Sequence, residues 1–114
     1  MQKSLKKISP FSAKVIATIK KIPKGKVATY GQIAALAGKE HASRGVAWLL
    51  NSSSKKYQLP WHRVINAKGK ISFPVQSAYF LRQVQKLEQE GVEVDNRTGT
   101  IDMKTYQWQK KPRS

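Results

Sequence analysis

The sequence VATYGQIAALAGKEHASRGVAWLLN, at residues 27–51, predicts two short helices joined by a tight turn. Thr29 is a suitable cap for a first helix over residues 30–37, and Gly38 is suited to end it. A second helix is predicted over residues 42–51, because its apolar residues fall on one face: Val46, Leu49 and Leu50. Such a pair forms a helix-turn-helix pattern, which on its own is a weak signal since many pairs of helices share it.

One more helix is predicted before this stretch. Ser9 can cap it, Pro10 suits its first turn, and Pro23 ends it. Apolar residues follow one another at helical spacing between these limits: Phe11, Val15, Ile16, Ile19 and Ile22. After the helix-turn-helix, the sequence SSSKK at residues 52–56 predicts a polar loop.

Short strands and a last helix are predicted in the second half of the chain. Val64 and Ile65 form a short buried strand, and a turn follows at residues 66–70. Ser77 caps a helix that Gly91 ends, with four residues expected to point inward: Phe80, Leu81, Val84 and Leu87. Extended segments are expected around residues 96–99. The predicted fold is therefore mostly α with short β segments.

The length of 114 residues suits one domain with a modest core. We predict a single domain over residues 9–109, preceded by a basic flexible N-terminus at 1–8 and followed by a frayed tail at 110–114.

The charge balance points to a polyanionic partner. The chain has 22 Lys and Arg residues against six Asp and Glu, a formal net charge of +16. Five of the six acidic residues lie within residues 88–102, so that residues 1–87 contain a single acidic residue, Glu40. Such a surface attracts nucleic acid, although solubility or binding to a membrane surface would also account for it. No strongly amphipathic basic helix favours the lipid alternative.

Several classes of chemistry are excluded or disfavoured. The chain has no cysteine, which excludes disulfides, thiolate metal sites and cysteine nucleophiles. Its two histidines, His41 and His62, are far apart without ligand spacing around them, so we expect no metal and no cofactor. No apolar run is long enough for a membrane helix and no signal-peptide core is present, so a cytoplasmic location without membrane association is expected.

Four motifs occur in a specific order along the chain. They are IPxGxVxTYGxIA at residues 22–34, SRGV at 43–46, PWHRV at 60–64 and EG at 90–91. In this order they resemble the C-terminal domain of O6-alkylguanine-DNA alkyltransferases, and still more their alkyltransferase-like relatives. The reactive cysteine of the true alkyltransferases corresponds to Trp61, as in the alkyltransferase-like branch, and that branch's C-terminal tyrosine and tryptophan are matched by Tyr106 and Trp108.

The resemblance implies a winged helix-turn-helix that binds the DNA minor groove. It further implies that a damaged guanine is flipped into a pocket and that an arginine takes its place in the base stack. Alkyltransferase-like proteins leave the lesion in place and are thought to pass it to nucleotide excision repair.

The residue at the cysteine position is the most informative one. Dealkylation needs a soft nucleophile, whereas the indole of Trp61 offers only an N–H donor. Alkyl transfer of the cysteine type is therefore excluded, and no catalytic residue is assigned. We predict a lesion pocket around this side chain, with a plain core aromatic as the alternative, and the expected lining residues are Trp61, His62, Val64, Ser72 and Phe73.

The predicted DNA-binding residues are Tyr30, Gly31, Ser43, Arg44, Gly45 and Ala47. Arg44 corresponds to the arginine that enters the stack, and a planar guanidinium can both stack and donate hydrogen bonds. A phosphate contact or a solvated position is its alternative. Tyr30, at a helix N-terminus, corresponds to a tyrosine that helps to rotate a phosphate; a half-buried aromatic is the alternative. The small residues permit close approach to the groove.

His62 and Glu90 correspond to a proton relay that activates the cysteine in the family. Without a cysteine we interpret them as hydrogen-bonded parts of the pocket wall, and Arg63 as an internal anchor of its loop in a structural network with Glu90. The loop at residues 72–77, SFPVQS, departs from the family, because the tyrosine that covers the alkylguanine is missing from it. Trp48 stands where methyltransferases often have a small residue, and no role is assigned to it.

The expected function is binding of double-stranded DNA that contains O6-alkylguanine, without repair. The expected partners are that DNA and nucleotide-excision-repair proteins, the chain acting as a monomer associated with the bacterial nucleoid when bound. The alternatives are a helix-turn-helix transcriptional regulator that recognises sequence in the major groove, a nonspecific basic DNA-binding protein, or an enzyme.

Overall fold

The computed structural model describes residues 8–110. Apart from residues 8 and 110, the predicted flexible N-terminus and frayed tail lie outside the described residues. The helices are α1 (Pro10–Lys20), α2 (Tyr30–Leu36), α3 (Ser43–Tyr57), α4 (Ala78–Gln89) and α5 (Met103–Tyr106). The strands are β1 (Ala28–Thr29), β2 (Val64–Ile65), β3 (Val94–Asp95) and β4 (Thr100–Ile101), and a 3₁₀ turn, Trp61–Arg63, precedes β2. The predicted class, mostly α with short β segments, is confirmed, as is the buried strand at β2.

Side-chain caps begin the three helices for which a capping residue was predicted. At α1, the amide of Ser12 donates to the Ser9 hydroxyl over 3.0 Å. At α2, the amide of Gln32 donates to Thr29 Oγ1 (3.0 Å), while the Gln32 side chain accepts from the Thr29 amide (3.4 Å), which completes a capping box. At α4, Ser77 caps in the same way by accepting from a backbone amide. The predicted starts of α1, α2 and α4 are therefore confirmed.

Helix α3 is longer than predicted, and the polar loop predicted at residues 52–56 is wrong. The serines remain helical, and the Ser52 hydroxyl donates back to the Trp48 carbonyl over 2.9 Å. The helix ends only at Gln58, whose φ of 55° is left-handed, where the amide of buried Leu59 donates to Ser54 O over 2.8 Å. Serine is a mediocre helix former but not a breaker, so burial at the end of the helix decides its length.

Helix α4 buries a different set of residues from the one predicted. Leu81 is 49% exposed, whereas Gln83 is only 2% exposed. Helical spacing from Phe80 favours the position three residues on rather than the adjacent one. Gln83 tolerates burial because its Nε2 donates to the carbonyls of His62 (3.0 Å) and Val64 (3.1 Å), so that α4 is fastened to the turn before β2.

Two core clusters organise the chain. The first joins α1, α2 and α3 through residues such as Ile19, Ile33 and Val46, and the second joins α4 to β3 and β4 around Phe80 and Ile101. Strands β1 and β2 pair in parallel between the clusters, with Ala28 opposite Val64. This pairing places the motif at residues 22–34 beside the motif at 60–64.

The C-terminal part forms an antiparallel pair, with Val94 opposite Ile101. The prediction of extended backbone at residues 96–99 is wrong, because that segment is the turn between β3 and β4, and the extended residues lie on either side of it. The Gly99 amide closes the turn on Asp95 O over 2.7 Å. The winged form of the helix-turn-helix stays a prediction.

Gly99 should be far less replaceable than Gly91, although both have positive φ (78° and 87°). A Cβ at Gly99 would lie 2.8 Å from Phe80 Cε2 and 3.3 Å from Ile71 Cβ, whereas one at Gly91 meets nothing within 4 Å. Gly99→Ala therefore combines backbone strain with overpacking and should cost about 3 kcal/mol of unfolding free energy. Gly91→Ala, the matched control, should cost about 1 kcal/mol.

Urea unfolding monitored by circular dichroism measures both variants. Equal losses for the two alanines would contradict the packing of the turn against Phe80.

Candidate nucleic-acid interface

A cavity of about 880 Å³ lies between α3, the turn that carries Trp61, and α4. Four of the predicted pocket residues line it, namely Trp61, Val64, Ser72 and Phe73, together with Tyr30 and Ala47 from the predicted DNA-binding set. The remaining lining residues are Leu50, Asn51, Ser54, Lys55, Gln58, Leu59, Tyr79, Arg82 and Gln83. The structure thus brings together residues from motifs that lie far apart in the sequence.

Three aromatic rings meet at one wall of this cavity. Trp61 contacts Phe73 and Tyr79 edge to face, with centroid distances of 6.1 and 6.2 Å. Phe73 and Tyr79 stack on each other at 5.2 Å with planes 22° apart. Trp61 also packs partly against the first core cluster, so it serves the core as well as the cavity. Edges and faces of aromatic rings are suited to contact a flat, polarisable base.

Among the cavity residues that the sequence analysis missed, Tyr79 and Arg82 form an aromatic and cationic pair. The ring of Tyr79 is 57% exposed, and the guanidinium carbon of Arg82 lies 5.6 Å from its centroid. The available signal was their spacing, since positions i and i+3 share one face of a helix. A tyrosine therefore stands at the cavity two residues beyond the loop in which the sequence analysis found none.

Tyr30 begins α2 at the edge of the same cavity. Its hydroxyl accepts a hydrogen bond from Ser72 Oγ over 3.2 Å, which ties α2 to the loop that precedes α4. Both side chains keep polar atoms at the cavity. Gly31 follows, and an added Cβ there would meet nothing within 4 Å.

The first two turns of α3 carry the other predicted DNA-binding residues. Arg44 is exposed, and none of the ion pairs within the described part of the chain involves it. Ala47, almost one turn later, lines the cavity, while Ser43 is partly exposed. Gly45 points elsewhere, because a Cβ there would lie 3.5 Å from Phe11 of α1. A Cβ at that distance makes an ordinary van der Waals contact, so the packing of α3 against α1 does not itself require a glycine.

Glu90, at the end of α4, holds the turn that carries Trp61. Arg63 donates to its carboxylate from Nε (3.0 Å) and Nη2 (2.6 Å), and from Nη1 to Ile22 O (2.8 Å). His62 Nε2 lies 3.0 Å from Glu90 Oε2, and the Gly25 amide is 3.4 Å from Oε1. One carboxylate thus joins the segment before β1 to the turn before β2.

His62 does not line the cavity, contrary to the prediction that it is a pocket residue. Its side chain is turned to Glu90, because a buried imidazole needs a polar partner and the carboxylate provides one. Its ring meets that of Trp61 edge to face at 6.1 Å. His62 therefore supports Trp61 from behind.

The cluster has a defined protonation state near neutral pH. Burial raises the pKa of Glu90, but the hydrogen bonds from Arg63, His62 and the Gly25 amide outweigh it and lower the pKa to about 2. Burial, with the nearby charges of Arg63 and Lys86, lowers the pKa of His62 from 6.5 despite the opposing effect of Glu90. A neutral His62 then donates from Nε2, since an ionised carboxylate only accepts.

Three of the six acidic residues lie around the C-terminal hairpin. Glu93, Asp95 and Asp102 line a separate cavity of about 460 Å³ beside β3 and β4. No group of three or more His, Asp or Glu residues within 8–110 could hold a metal ion. Nor does any helix in that range have the length and apolar character needed to cross a membrane. Helix α3, in contrast, carries three basic residues and no acidic one.

Comparisons with known proteins agree with this geometry. The family model described as "6-O-methylguanine DNA methyltransferase, DNA binding domain" matches residues 10–92. The chain is 46% identical over 99 residues to the "DNA base-flipping protein" of Vibrio parahaemolyticus, covering 87% of this chain and 96% of the relative. It is 41% identical over 88 residues to "Alkyltransferase-like protein 1" of Schizosaccharomyces pombe, covering 77% and 82%.

Among solved structures, the fold is similar to that of S. pombe Atl1 in complex with damaged DNA containing O6-carboxymethylguanine. The TM-score is 0.76 at 37% sequence identity, and the match covers 88% of this chain and 95% of that one.

The depressed pKa of Glu90 predicts a loss of stability in acid. The folded pKa of about 2 lies below the ordinary value of 4.5, so the stabilisation is complete above pH 4.5 and is lost as the pH falls towards 2. The lowered pKa of His62 acts in the same direction from pH 6.5 downwards, because the unfolded chain then binds more protons. Glu90→Gln should remove the lower of these two phases.

At pH 7 the same substitution should cost about 3 kcal/mol, because it leaves the largely buried Arg63 without its carboxylate. Glu88→Gln, at an exposed position of the same helix, is the matched control and should lie within about 0.5 kcal/mol of the unsubstituted protein. Urea unfolding between pH 7.5 and 2.5 measures both. An unchanged pH profile in Glu90→Gln would show that another group causes the acid sensitivity.

Proposed function

The chain belongs to the family of the 6-O-methylguanine DNA methyltransferase DNA-binding domain, and from this premise we propose that it binds O6-alkylguanine in duplex DNA without repairing it. The damaged nucleotide is flipped out of the duplex into the cavity beside Trp61. The names of its relatives, a base-flipping protein and an alkyltransferase-like protein, support this proposal, as does the likeness to a protein bound to O6-carboxymethylguanine DNA.

The observation that carries the proposal is the position of the cavity. Its volume of about 880 Å³ is walled on one side by aromatic rings and on the other by the helix that bears Arg44. A flipped base gains contact with Trp61 and Tyr79, and stacking on an aromatic ring is worth about 1–3 kcal/mol per base. This gain offsets part of the cost of unstacking the nucleotide, which is smaller for a damaged base.

The chain binds the lesion but does not dealkylate it. An alkyl transfer needs a nucleophile at the alkyl carbon, and the indole of Trp61 has no lone pair available for that displacement. No other segment can supply a cysteine in its place, because the sequence contains none. His62 and Glu90 keep the hydrogen bond of a relay, but behind the cavity wall they support the ring of Trp61 instead of activating a thiol. The protein is accordingly a sensor rather than an enzyme.

Arg44 fills the gap that the flipped nucleotide leaves. Its guanidinium is exposed near the N-terminal end of α3, almost one turn before Ala47 at the cavity. A planar, permanently charged group can stack between neighbouring base pairs and donate to the orphaned partner base. The DNA backbone next to the flipped nucleotide is contacted by Tyr30, Gly31 and Ser43. The short side chain of Ala47 lets α3 lie close to the minor groove.

A lesion that is held but not repaired has to be passed on. We therefore infer that the complex marks the site for nucleotide excision repair, that one chain suffices for binding, and that the protein is associated with the bacterial nucleoid when bound. A transcriptional regulator is less well supported, because α3 offers Arg44 and few other polar side chains long enough to recognise bases in the major groove. The remaining alternative is a nonspecific basic DNA-binding protein.

Competition binding between matched duplexes tests the proposal. At a fixed salt concentration, the O6-methylguanine duplex should displace a labelled duplex at a concentration about tenfold lower than the undamaged duplex of the same sequence, or lower still. A radiolabel on the alkyl group should stay on the guanine throughout the incubation. Equal competition by the two duplexes would leave only nonspecific binding, and transfer of the label to protein would make the chain an enzyme.

Arg44→Ala should weaken binding of the alkylated duplex by about 10- to 100-fold, because it removes both stacking and donors. Arg44→Lys keeps the charge but not the plane, so it should recover only a small part of the loss. Lys14→Ala, at an exposed position of α1, is the control for a single positive charge and should cost about twofold. A similar loss in Lys14→Ala and Arg44→Ala would refute the stacking role.

A further inference from the structure

Trp48 is the most exposed large apolar side chain of the described residues, with 66% of its surface accessible. The residues beside it have clear partners, since Ala47 lines the cavity while Leu49 and Leu50 are buried in the first core cluster. The indole of Trp48 neither lines the cavity nor packs in the first core cluster. A large aromatic group left in water is a common mark of a binding surface.

The position of Trp48 on α3 identifies that surface. It lies four residues after Arg44, so the two side chains are neighbours on one face of the helix. Asn51 and Lys55, three and seven residues after Trp48, are exposed and line the cavity. Trp48 therefore lies on a continuous exposed strip between the arginine at one end and the rim of the cavity at the other.

We propose that Trp48 is a second DNA-contacting side chain, which inserts its indole into the minor groove beside the base-pair steps that flank the lesion. This inference rests on the proposed function. The partner is DNA rather than protein for two reasons. A nucleotide that enters the cavity brings the duplex over the strip that contains Trp48, and the helix carries Arg44, Lys55 and Lys56 with no acidic residue.

The helix geometry indicates which base steps the indole reaches. Four residues of α-helix rise roughly 6 Å, close to two base-pair steps of about 3.4 Å each. Apolar side chains that enter the minor groove partly unstack such steps and bend the duplex. The indole N–H can also donate to the acceptors that A·T pairs present there. Trp48 thus loosens the stack next to the nucleotide that is to be flipped.

Two substitutions of Trp48 test this role against a matched control. Trp48→Ala should weaken binding of the O6-methylguanine duplex about tenfold, and Trp48→Phe, which keeps a ring, should recover most of the loss. Leu81→Ala removes another exposed apolar side chain, one that does not line the cavity, and should bind like the unsubstituted protein. Circular dichroism and thermal melting should show all three variants folded, since both positions are exposed.

A base analogue reports the unstacking directly. 2-Aminopurine, placed in turn at each position within three base pairs of the lesion, should brighten on binding at one or two flanking steps. Trp48→Ala should abolish this rise while the signal of the flipped position itself remains at saturating protein. That pattern separates insertion from a purely structural effect of the substitution.

The proposal is overturned if Trp48→Ala binds alkylated DNA as tightly as the unsubstituted protein. The exposed indole would then be a surface for a protein partner instead of DNA. Tighter binding would also overturn it, because the ring would then be an obstacle to the groove. A loss in Trp48→Phe as large as in Trp48→Ala would contradict insertion of a ring. If the unsubstituted protein fails to prefer the alkylated duplex, the proposed function fails, and the response of undamaged-duplex binding to Trp48→Ala still decides the role of the indole.

Discussion

The structure depends on one carboxylate, that of Glu90, which joins three segments distant in the sequence. It accepts hydrogen bonds from Arg63 and His62 in the turn before β2 and from the Gly25 amide before β1. Because α4 ends at this group, the helix, the parallel strand pair and the turn that carries Trp61 hold one another in place. The position of the cavity wall therefore follows from an ionised group that lies outside the cavity.

The predictable parts of the fold are those that local chemistry decides. Ser9, Thr29 and Ser77 mark helix starts because a hydroxyl can satisfy the first free amides wherever the chain goes next. The end of α3 could not be found in this way, since it is set by the burial of Leu59. The burial of Gln83 was equally hidden, because its two acceptors are backbone carbonyls of another segment.

In the candidate site, too, residues within local motifs could be predicted, whereas residues placed by tertiary packing could not. Arg44 and Trp61 could be predicted as site residues because each lies inside a short motif; Trp61 lines the cavity, whereas the role of Arg44 stays a prediction. Tyr79 and Arg82 were missed because they reach the cavity only through the packing of α4 against the turn before β2. The hydrogen bonding predicted for His62 is present, but its place among the residues that line the cavity was wrong for a related reason. A sequence motif indicates neighbours along the chain, whereas the partner that turns the ring away is Glu90.

The surroundings of Trp61 suit retention of a lesion better than its repair. A thiolate acts on one atom and needs its target only until the bond is exchanged, whereas a sensor has to keep the nucleotide long enough for another protein to arrive. Contact area serves that purpose, and the edges of Phe73 and Tyr79 extend the surface that Trp61 begins. The acidic side chains near Asp95 lie around the C-terminal hairpin, so they do not oppose the DNA at α3. Under the proposed function, the presence of Trp61 in place of a reactive cysteine makes the site one whose performance is set by the rate at which DNA leaves.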